Sequence, residues 1–125
     1  GAVDATPGRV QIHEIAPFEP FEAEGYKITP LTANHDPAAG SVIYLIEKDG
    51  KCVLHAHDTG YFTTDTWEYL KNNVHHLNFV SFDCTETGNY PDKNMMCGHM
   101  NYATVKNVRK NYRNLVLLMR VQYVQ

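Results

Sequence analysis

Residues 42–60 read VIYLIEKDGKCVLHAHDTG, the most informative pattern in the sequence. An apolar run precedes the Asp49-Gly50 pair, and a second apolar run follows it. An Asp-Gly pair between two such runs favours a tight β-hairpin, because both central residues of the turn adopt positive φ. The first run is continuous, which predicts a strand covered on both faces. The second strand should deliver residues 57–60 at its carboxyl end.

The patterns on either side of the hairpin predict further strands and two helices. Strands are expected over 9–15 and 26–31, before hairpin strands at 42–46 and 52–56. A helix at 66–72, opened by a capping box from Asp65 to Glu68, should be followed by a strand at 77–84, a helix at 101–112 and a strand at 115–121. The predicted fold is α/β (α+β): a mixed sheet with an antiparallel hairpin followed by a parallel β-α-β-α-β unit.

The predicted domain covers residues 9–125, after a disordered or added tail at 1–8. Residues 86–98 are rich in turn formers and show no period, which is typical of a functional loop. The whole chain has 125 residues, the length of a single domain.

Charge and hydropathy exclude several classes of function. Eleven basic residues against 14 acidic ones give a net charge of −3, which argues against non-specific nucleic-acid binding. The longest apolar runs, 42–46 and 115–119, are far shorter than the ~20 residues that a membrane span requires. Three cysteines without a Cys-x-x-Cys pair indicate neither a disulfide framework nor a zinc knuckle, so a reducing, cytoplasmic setting is expected. Seven histidines prompt a search for metal ligands.

Polar residues follow several predicted strands at the edge where open α/β sheets bind ligands. Asp58 follows the returning hairpin strand, Asp83 follows the next strand, and His99 lies where the loop enters the second helix. His35 lies in a Pro-flanked loop before the hairpin. A carboxylate can bridge two divalent ions, and imidazole suits zinc, manganese or iron.

Each of these residues also has a purely structural interpretation. Asp58 can cap local N–H groups in a turn, His35 can be an exposed loop residue, and His99 can be a helix cap or a surface residue. His55, inside a strand, is expected to be structural. His57 should point to the opposite face of its strand from Asp58, so it should not share a site with that carboxylate without a bulge.

The order of these segments resembles the second half of metallo-β-lactamase-fold hydrolases. The resemblance rests on four stretches, HDPAAGSVIYLI at 35–46, GKCVLHAHDTG at 50–60, DCT at 83–85 and GHM at 98–100. It is greatest for the branch of phosphoribosyl cyclic phosphodiesterases and ribonuclease Z. It implies that the chain forms one αβ half of a four-layer αββα sandwich.

The resemblance also implies roles for individual residues. His35 becomes a metal ligand and Asp58 the carboxylate that bridges two zinc or manganese ions. His99 becomes a catalytic group that protonates the leaving oxygen, and Asp83 orients His99 or lines the cleft. The implied activity is hydrolysis of a small phosphodiester or nucleotide-like substrate by metal-activated water.

Two ligand elements of that family are absent from this sequence. The His-x-His-x-Asp-His motif is missing, and so is the final ligand histidine after the last strand. We therefore expect a fragment of a hydrolase that is inactive alone and binds metal weakly, because two donors cannot hold a dinuclear centre. The uncovered sheet face should then drive homo-oligomerisation or domain exchange. The alternative is a non-catalytic, metal-free binding or interaction domain of the same fold.

Overall fold

A computed structural model describes residues 8–86, 97–113 and 121–124. These residues form a mixed six-stranded sheet in which the strands are neighbours in chain order. The strands are β1 (Phe21–Ala23), β2 (Tyr26–Thr32), β3 (Val42–Lys48), β4 (Lys51–Ala56), β5 (Phe79–Asp83) and β6 (Val121–Val124). The helices are α1 (Thr64–Asn73) and α2 (Tyr102–Arg113). None of the helices described is both long enough and apolar enough to cross a membrane.

The sheet changes from antiparallel to parallel at β4. β1 to β4 pair antiparallel, whereas β4 with β5 and β5 with β6 pair parallel. The predicted fold class, a mixed sheet with a hairpin followed by β-α-β-α-β, is confirmed. The predicted strand at 115–121 falls mostly outside the described residues, as do most of the predicted loop and of the tail at 1–8.

The hairpin between β3 and β4 forms as its turn residues predict. Asp49 and Gly50 have φ of 50° and 72°, the left-handed values that a two-residue hairpin turn requires. Tyr44 pairs with His55 and Lys48 with Lys51 across the two strands. The prediction that β3 is covered on both faces is wrong for the described structure, because its side chains alternate between buried and half-buried.

Both helices contribute to one hydrophobic core on one face of the sheet. The core includes Leu70 of α1 and Val105 and Val108 of α2, with Leu54 and Phe82 from the sheet. On the opposite face, Ile28, Ile46, Val53 and Phe79 lie in register across four strands and are half-buried. Association through that face stays a prediction.

The start of α1 differs from the predicted capping box. The helix begins at Thr64 with Thr63 as its N-cap, so Asp65 lies inside the first turn. The Asp65 carboxylate accepts hydrogen bonds from the Thr63 hydroxyl, from Thr32 Oγ1 at 3.1 Å and from the Thr66 amide at 2.9 Å. It thereby ties the helix to the end of β2.

One prediction near the beginning of the chain is wrong, and one strand there was not predicted. Residues 9–15 form no strand, and Ile12 is 69% exposed. A short apolar alternation without a neighbouring strand has nothing to pair with. The structure instead places β1 after Pro20, joined to β2 by a turn in which Glu24 and Gly25 both have positive φ.

The parallel pairing of β4 with β5 positions the candidate site. Ala56 and Phe82 are partners, so the residues that follow them leave the sheet side by side. Asp58 and Asp83 therefore meet at one edge of the sheet, which we call the carboxyl edge.

Candidate metal and catalytic site

Asp83, the last residue of β5, is the centre of the polar cluster at the carboxyl edge. The residue is only 5% exposed. Its Oδ2 accepts a hydrogen bond from the backbone N–H of Asp58 at 3.0 Å and lies 2.9 Å from His99 Nδ1. One buried carboxylate thus fixes both the turn after β4 and the imidazole before α2.

Asp58 leaves the strand with a backbone that turns its carboxylate outward. Its φ is +52°, in the left-handed region, and its side chain is 73% exposed. The next two residues are tied to Asn34: the Asn34 amide donates to Thr59 Oγ1 at 2.9 Å, and the Gly60 amide donates to the Asn34 carbonyl at 2.8 Å. The Asp58 carboxylate therefore projects from an anchored turn.

His35 is oriented by the segment that precedes α2. Its Nδ1 lies 2.9 Å from the Gly98 carbonyl oxygen, which can only accept, so Nδ1 carries the proton. The neutral ring then has its lone pair on Nε2 and can bind a metal there, the arrangement usual for ligating histidines. Gly98 has φ of +91° and donates to the Asn34 carbonyl at 2.8 Å.

His99 packs against both neighbouring site residues. Its ring meets the His35 ring edge to face, with 5.1 Å between centroids, and its Nδ1 lies 3.7 Å from Asp58 Oδ1. The hydrogen bond to Asp83 raises the pKa of His99 above its ordinary value, against the opposing effect of burial. Because Nδ1 serves Asp83, Nε2 is the ring atom left for other chemistry.

The donor set fits a divalent cation. Among the described residues, Asp58, Asp83 and His99 offer ligand atoms that all lie within 4.8 Å of one another, and His35 is not part of that group. Asp83 Oδ1 is buried without a hydrogen-bond partner in the described structure. Carboxylate and imidazole donors suit zinc or manganese.

A cavity of about 330 Å³ opens beside Asp58 and contains both predicted metal ligands. Asp58 and His35 line it together with Tyr44, His55 and His57. His57 and Asp58 line the same cavity, although strict alternation along a strand would place them on opposite faces. Asp58 has left-handed backbone angles, so the alternation of side chains along β4 ends before this residue.

The stacked pair of His55 and His57 is the feature that sequence reasoning missed. Their rings lie 4.1 Å apart at an interplanar angle of 24°. His57 Nε2 lies 2.7 Å from Ser81 Oγ, while the exposed His55 has a pKa lowered by partial burial and by the neighbouring His57. The available signal was the spacing of the two histidines, since residues two apart on a strand share a face.

Comparison with known protein families identifies the superfamily of this chain. The family model described as the beta-lactamase superfamily domain matches residues 2–114. The chain belongs to the beta-lactamase superfamily. No curated protein matches the chain significantly.

Solved structures share the fold of this superfamily member at low sequence identity. The metallo-beta-lactamase fold protein YhfI from Bacillus subtilis is 15% identical to this chain, with a TM-score of 0.56. The match covers 89% of this chain and 52% of YhfI. The diiron β-hydroxylase CmlA from Streptomyces venezuelae is 12% identical, with a TM-score of 0.63, and the match covers 90% of this chain and 25% of CmlA. A diphosphatase of the PhnP family is 14% identical, with a TM-score of 0.57, and the match covers 90% of this chain and 37% of the diphosphatase.

This chain therefore spans about half or less of the proteins that it resembles in structure. The described sheet and its two helices correspond to one half of a metallo-β-lactamase fold. At 12–15% identity, the likeness to these proteins shows the fold alone.

Proposed function

We propose that this chain is part of a metal-dependent hydrolase that cleaves a small phosphodiester, in the branch of phosphoribosyl cyclic phosphodiesterases and ribonuclease Z. One observation carries the proposal. Asp58 and His35 line a single cavity. His99 lies next to Asp58 and is hydrogen-bonded to the buried carboxylate of Asp83. The PhnP-family diphosphatase among the structural neighbours supports phosphate chemistry.

His35 and Asp58 are the residues proposed to hold zinc or manganese. Because His35 Nδ1 donates to the Gly98 carbonyl, the lone pair on Nε2 is available for a metal. The Asp58 carboxylate is exposed and lines the cavity. When bound, divalent ions supply Lewis-acid polarisation of a phosphoryl oxygen and lower the pKa of water. In a complete site, the Asp58 carboxylate would serve as a ligand to these ions.

Asp83 and His99 are proposed to handle the proton of the leaving group. A metal bound through Asp83 Oδ2 and His99 Nδ1 would break two existing hydrogen bonds, so we assign them no ligand role. Asp83 holds His99 Nδ1, and Nε2 can deliver a proton to the leaving oxygen. General acid catalysis of this kind typically contributes ~10²–10⁴-fold in rate.

The chain by itself is proposed to hydrolyse phosphodiesters very slowly. Its sequence lacks a His-x-His-x-Asp-His motif, and two donors leave most coordination positions of each ion to water. Weak metal binding and slow turnover are therefore expected together.

Calorimetric titration with zinc tests the proposed function. Asp58→Asn and His35→Gln should each weaken zinc binding by about tenfold or more. The matched controls Asp49→Asn and His75→Gln carry the same changes at the hairpin end, and they should bind like wild type. Asn at position 58 still tolerates a positive φ, so the turn is retained.

Hydrolysis of bis-p-nitrophenyl phosphate by the same samples completes the test. Zinc-dependent turnover that disappears in Asp58→Asn supports a hydrolase, even at a low rate. Zinc binding that is unaffected by both site variants contradicts the proposal and favours the alternative of a metal-free binding domain.

A further inference from the structure

The two proposed metal ligands lie on separate turns of the chain. His35 precedes β3, and Asp58 follows β4. A metal is bound by both side chains only if the two turns keep a fixed relative position, because ligand distances vary by only about 0.2 Å. The contacts that join the two turns therefore govern the affinity of the site.

The residues next to the two ligands are hydrogen-bonded to each other. Asn34, just before His35, donates its backbone N–H to the hydroxyl of Thr59 at 2.9 Å, and Thr59 directly follows Asp58. The Thr59 hydroxyl donates to the Gly60 carbonyl at 3.0 Å, and the Gly60 amide donates to the Asn34 carbonyl at 2.8 Å. These three bonds join the two turns at positions adjacent to the ligands.

The Thr59 side chain has no exposed surface, so water cannot take the place of its hydroxyl. Removing that hydroxyl would leave the Asn34 amide without this acceptor, and an unpaired N–H inside a protein is costly. The Asn34 side chain adds a further link to the same turn, because its Nδ2 donates to the Tyr61 carbonyl at 3.0 Å.

Asn34 also determines the position of the group that orients the His35 ring. Its carbonyl accepts from the Gly98 amide at 2.8 Å, and the Gly98 carbonyl accepts from His35 Nδ1 at 2.9 Å. A displacement of Asn34 would therefore change both the separation of the two turns and the direction of the His35 lone pair.

We propose that Thr59 and Asn34 are positioning residues of the metal site, and that the hydrogen bond between them sets the separation of His35 and Asp58. The inference rests on the proposed function, since it takes those two residues as the ligands. Thr59 and Asn34 themselves do not bind the metal. Removal of a group that orients metal ligands typically weakens metal binding by about 10–100-fold.

Calorimetric titration of Thr59 variants with zinc tests the inference. Thr59→Val keeps the shape of the side chain without its hydroxyl and should weaken zinc binding by about tenfold. Thr59→Ser retains the hydroxyl and should bind zinc like wild type. Thr66→Val is the matched control, because Thr66 is equally buried and its hydroxyl donates to the Thr32 carbonyl at 2.7 Å. This control should lose stability but keep its zinc affinity.

Nuclear magnetic resonance of the metal-free protein, with ¹⁵N-labelled histidine, supplies a readout that does not depend on zinc. The ring nitrogen shifts report which nitrogen of His35 carries the proton, and wild type should show it on Nδ1. Thr59→Val should show a mixture of the two tautomers, whereas Thr59→Ser and Thr66→Val should resemble wild type.

Asn34→Ala replaces Thr59→Val if that variant does not fold. It removes the bond to the Tyr61 carbonyl and should weaken zinc binding by about threefold, the effect of one neutral hydrogen bond. Unchanged zinc affinity in Asn34→Ala would then overturn the inference.

Two outcomes with folded Thr59→Val overturn the inference. One is zinc affinity and a His35 tautomer that both match wild type, and the other is an equal loss of zinc affinity in Thr66→Val. Zinc binding that depends on Asp58 and His35 but not on Thr59 removes only this inference. A wild-type protein that binds no zinc removes the hydrolase assignment, and the His35 tautomer in Thr59→Val then decides the inference alone.

Discussion

Two cavities of almost equal volume lie at the two ends of β4, and they differ in how their polar groups are held. The hairpin-end cavity measures about 340 Å³ and includes Lys51, Cys52, His75 and His76. The carboxyl-edge cavity measures about 330 Å³ and includes Asp58 and three histidines. Neither volume nor the presence of histidine distinguishes them.

At the hairpin end, the charged side chains are exposed to solvent and the thiol of Cys52 is unreactive. Lys27 and Glu47 form a surface pair at 3.4 Å, and Lys48 lies over the Tyr26 ring. Burial raises the pKa of Cys52 to about 12, so the thiol stays protonated at neutral pH. Exposed pairs of this kind contribute about 0–1 kcal/mol and impose little geometry.

The carboxyl edge has a buried carboxylate that imposes geometry on three segments. Asp83 bonds to the Asp58 amide and to His99, and the Asn34 carbonyl accepts from both Gly60 and Gly98. The two ends of β4 therefore differ in how firmly their polar groups are held and not in cavity size, and preorganisation is what a metal or catalytic site requires.

The largest effect is expected from Asp83→Asn compared with Asp49→Asn. Asn retains only one oxygen acceptor and presents an NH₂ group to existing donors. Unfolding free energy should fall by about 1–3 kcal/mol and zinc affinity by about 10–100-fold. Asp49→Asn should change stability by less than about 0.5 kcal/mol. Chemical denaturation measures the unfolding free energy, and calorimetry measures the zinc affinity. Equal effects in the two variants would show that the two cavities do not differ in this respect.

A smaller effect is expected from Gly98→Ala compared with Gly50→Ala. Both glycines have positive φ, so each substitution should cost about 1 kcal/mol of stability. At Gly98 the new Cβ would make an ordinary contact with His35 Nδ1 at 3.6 Å, but a backbone shift that relieves the strain at φ of +91° would move the carbonyl that accepts from His35 Nδ1. The space at Gly50 is open and its carbonyl holds no site residue. Zinc affinity should therefore weaken only in Gly98→Ala. A loss of affinity in Gly50→Ala of the same size would show that metal binding simply follows stability.

Asp65→Asn supplies a reference outside both cavities. Burial acts to raise the pKa of Asp65, but hydrogen bonds from Thr63, Thr32 and Thr66 outweigh it and lower the pKa. The ionised form therefore stabilises the fold at neutral pH, by about 0.5 kcal/mol for an exposed group in the first turn of a helix. This contribution is complete above the unfolded pKa of about 3.9 and is lost as the pH falls through the lower folded value.

Denaturation of wild type and Asp65→Asn from pH 7 to pH 3 checks this expectation. The difference in unfolding free energy should shrink on acidification. A difference that grows toward low pH would mean that the sign is wrong.

The smallest effect on zinc is expected from His99→Gln. His99 is proposed as a proton donor, so its loss should leave zinc stoichiometry and affinity unchanged. Atomic absorption and calorimetry measure these quantities, with Asp58→Asn as the positive control. Zinc lost with His99 would instead make this residue a ligand, as its 3.7 Å separation from Asp58 allows.

Local chemistry made much of the fold predictable. The Asp49-Gly50 turn, the two helices and the change to parallel pairing follow from turn residues, periodicity and element order. The strand proposed at 9–15 failed and β1 was missed, because pairing partners decide whether short strands form. The capping-box prediction for Asp65 failed because the helix begins at Thr64 with Thr63 as its N-cap; the Asp65 carboxylate accepts instead from Thr32, a residue distant in sequence.

The site was predictable as a set of residues at one edge, but its internal bonding was not. Sequence order placed Asp58 and Asp83 after adjacent strands. Asp58 has a positive φ, and its amide donates to the carboxylate of Asp83, 25 residues away. The orientation of His35 depends on Gly98, 63 residues away.

A crystal structure of the zinc-loaded protein, with anomalous data collected at the zinc edge, would show directly which side chains bind the metal. We expect zinc on His35 Nε2 and an Asp58 carboxylate oxygen, with the bond between His99 Nδ1 and Asp83 still in place. Zinc bound between Asp83 and His99, with His35 uninvolved, would contradict the assignment of ligands and proton donor.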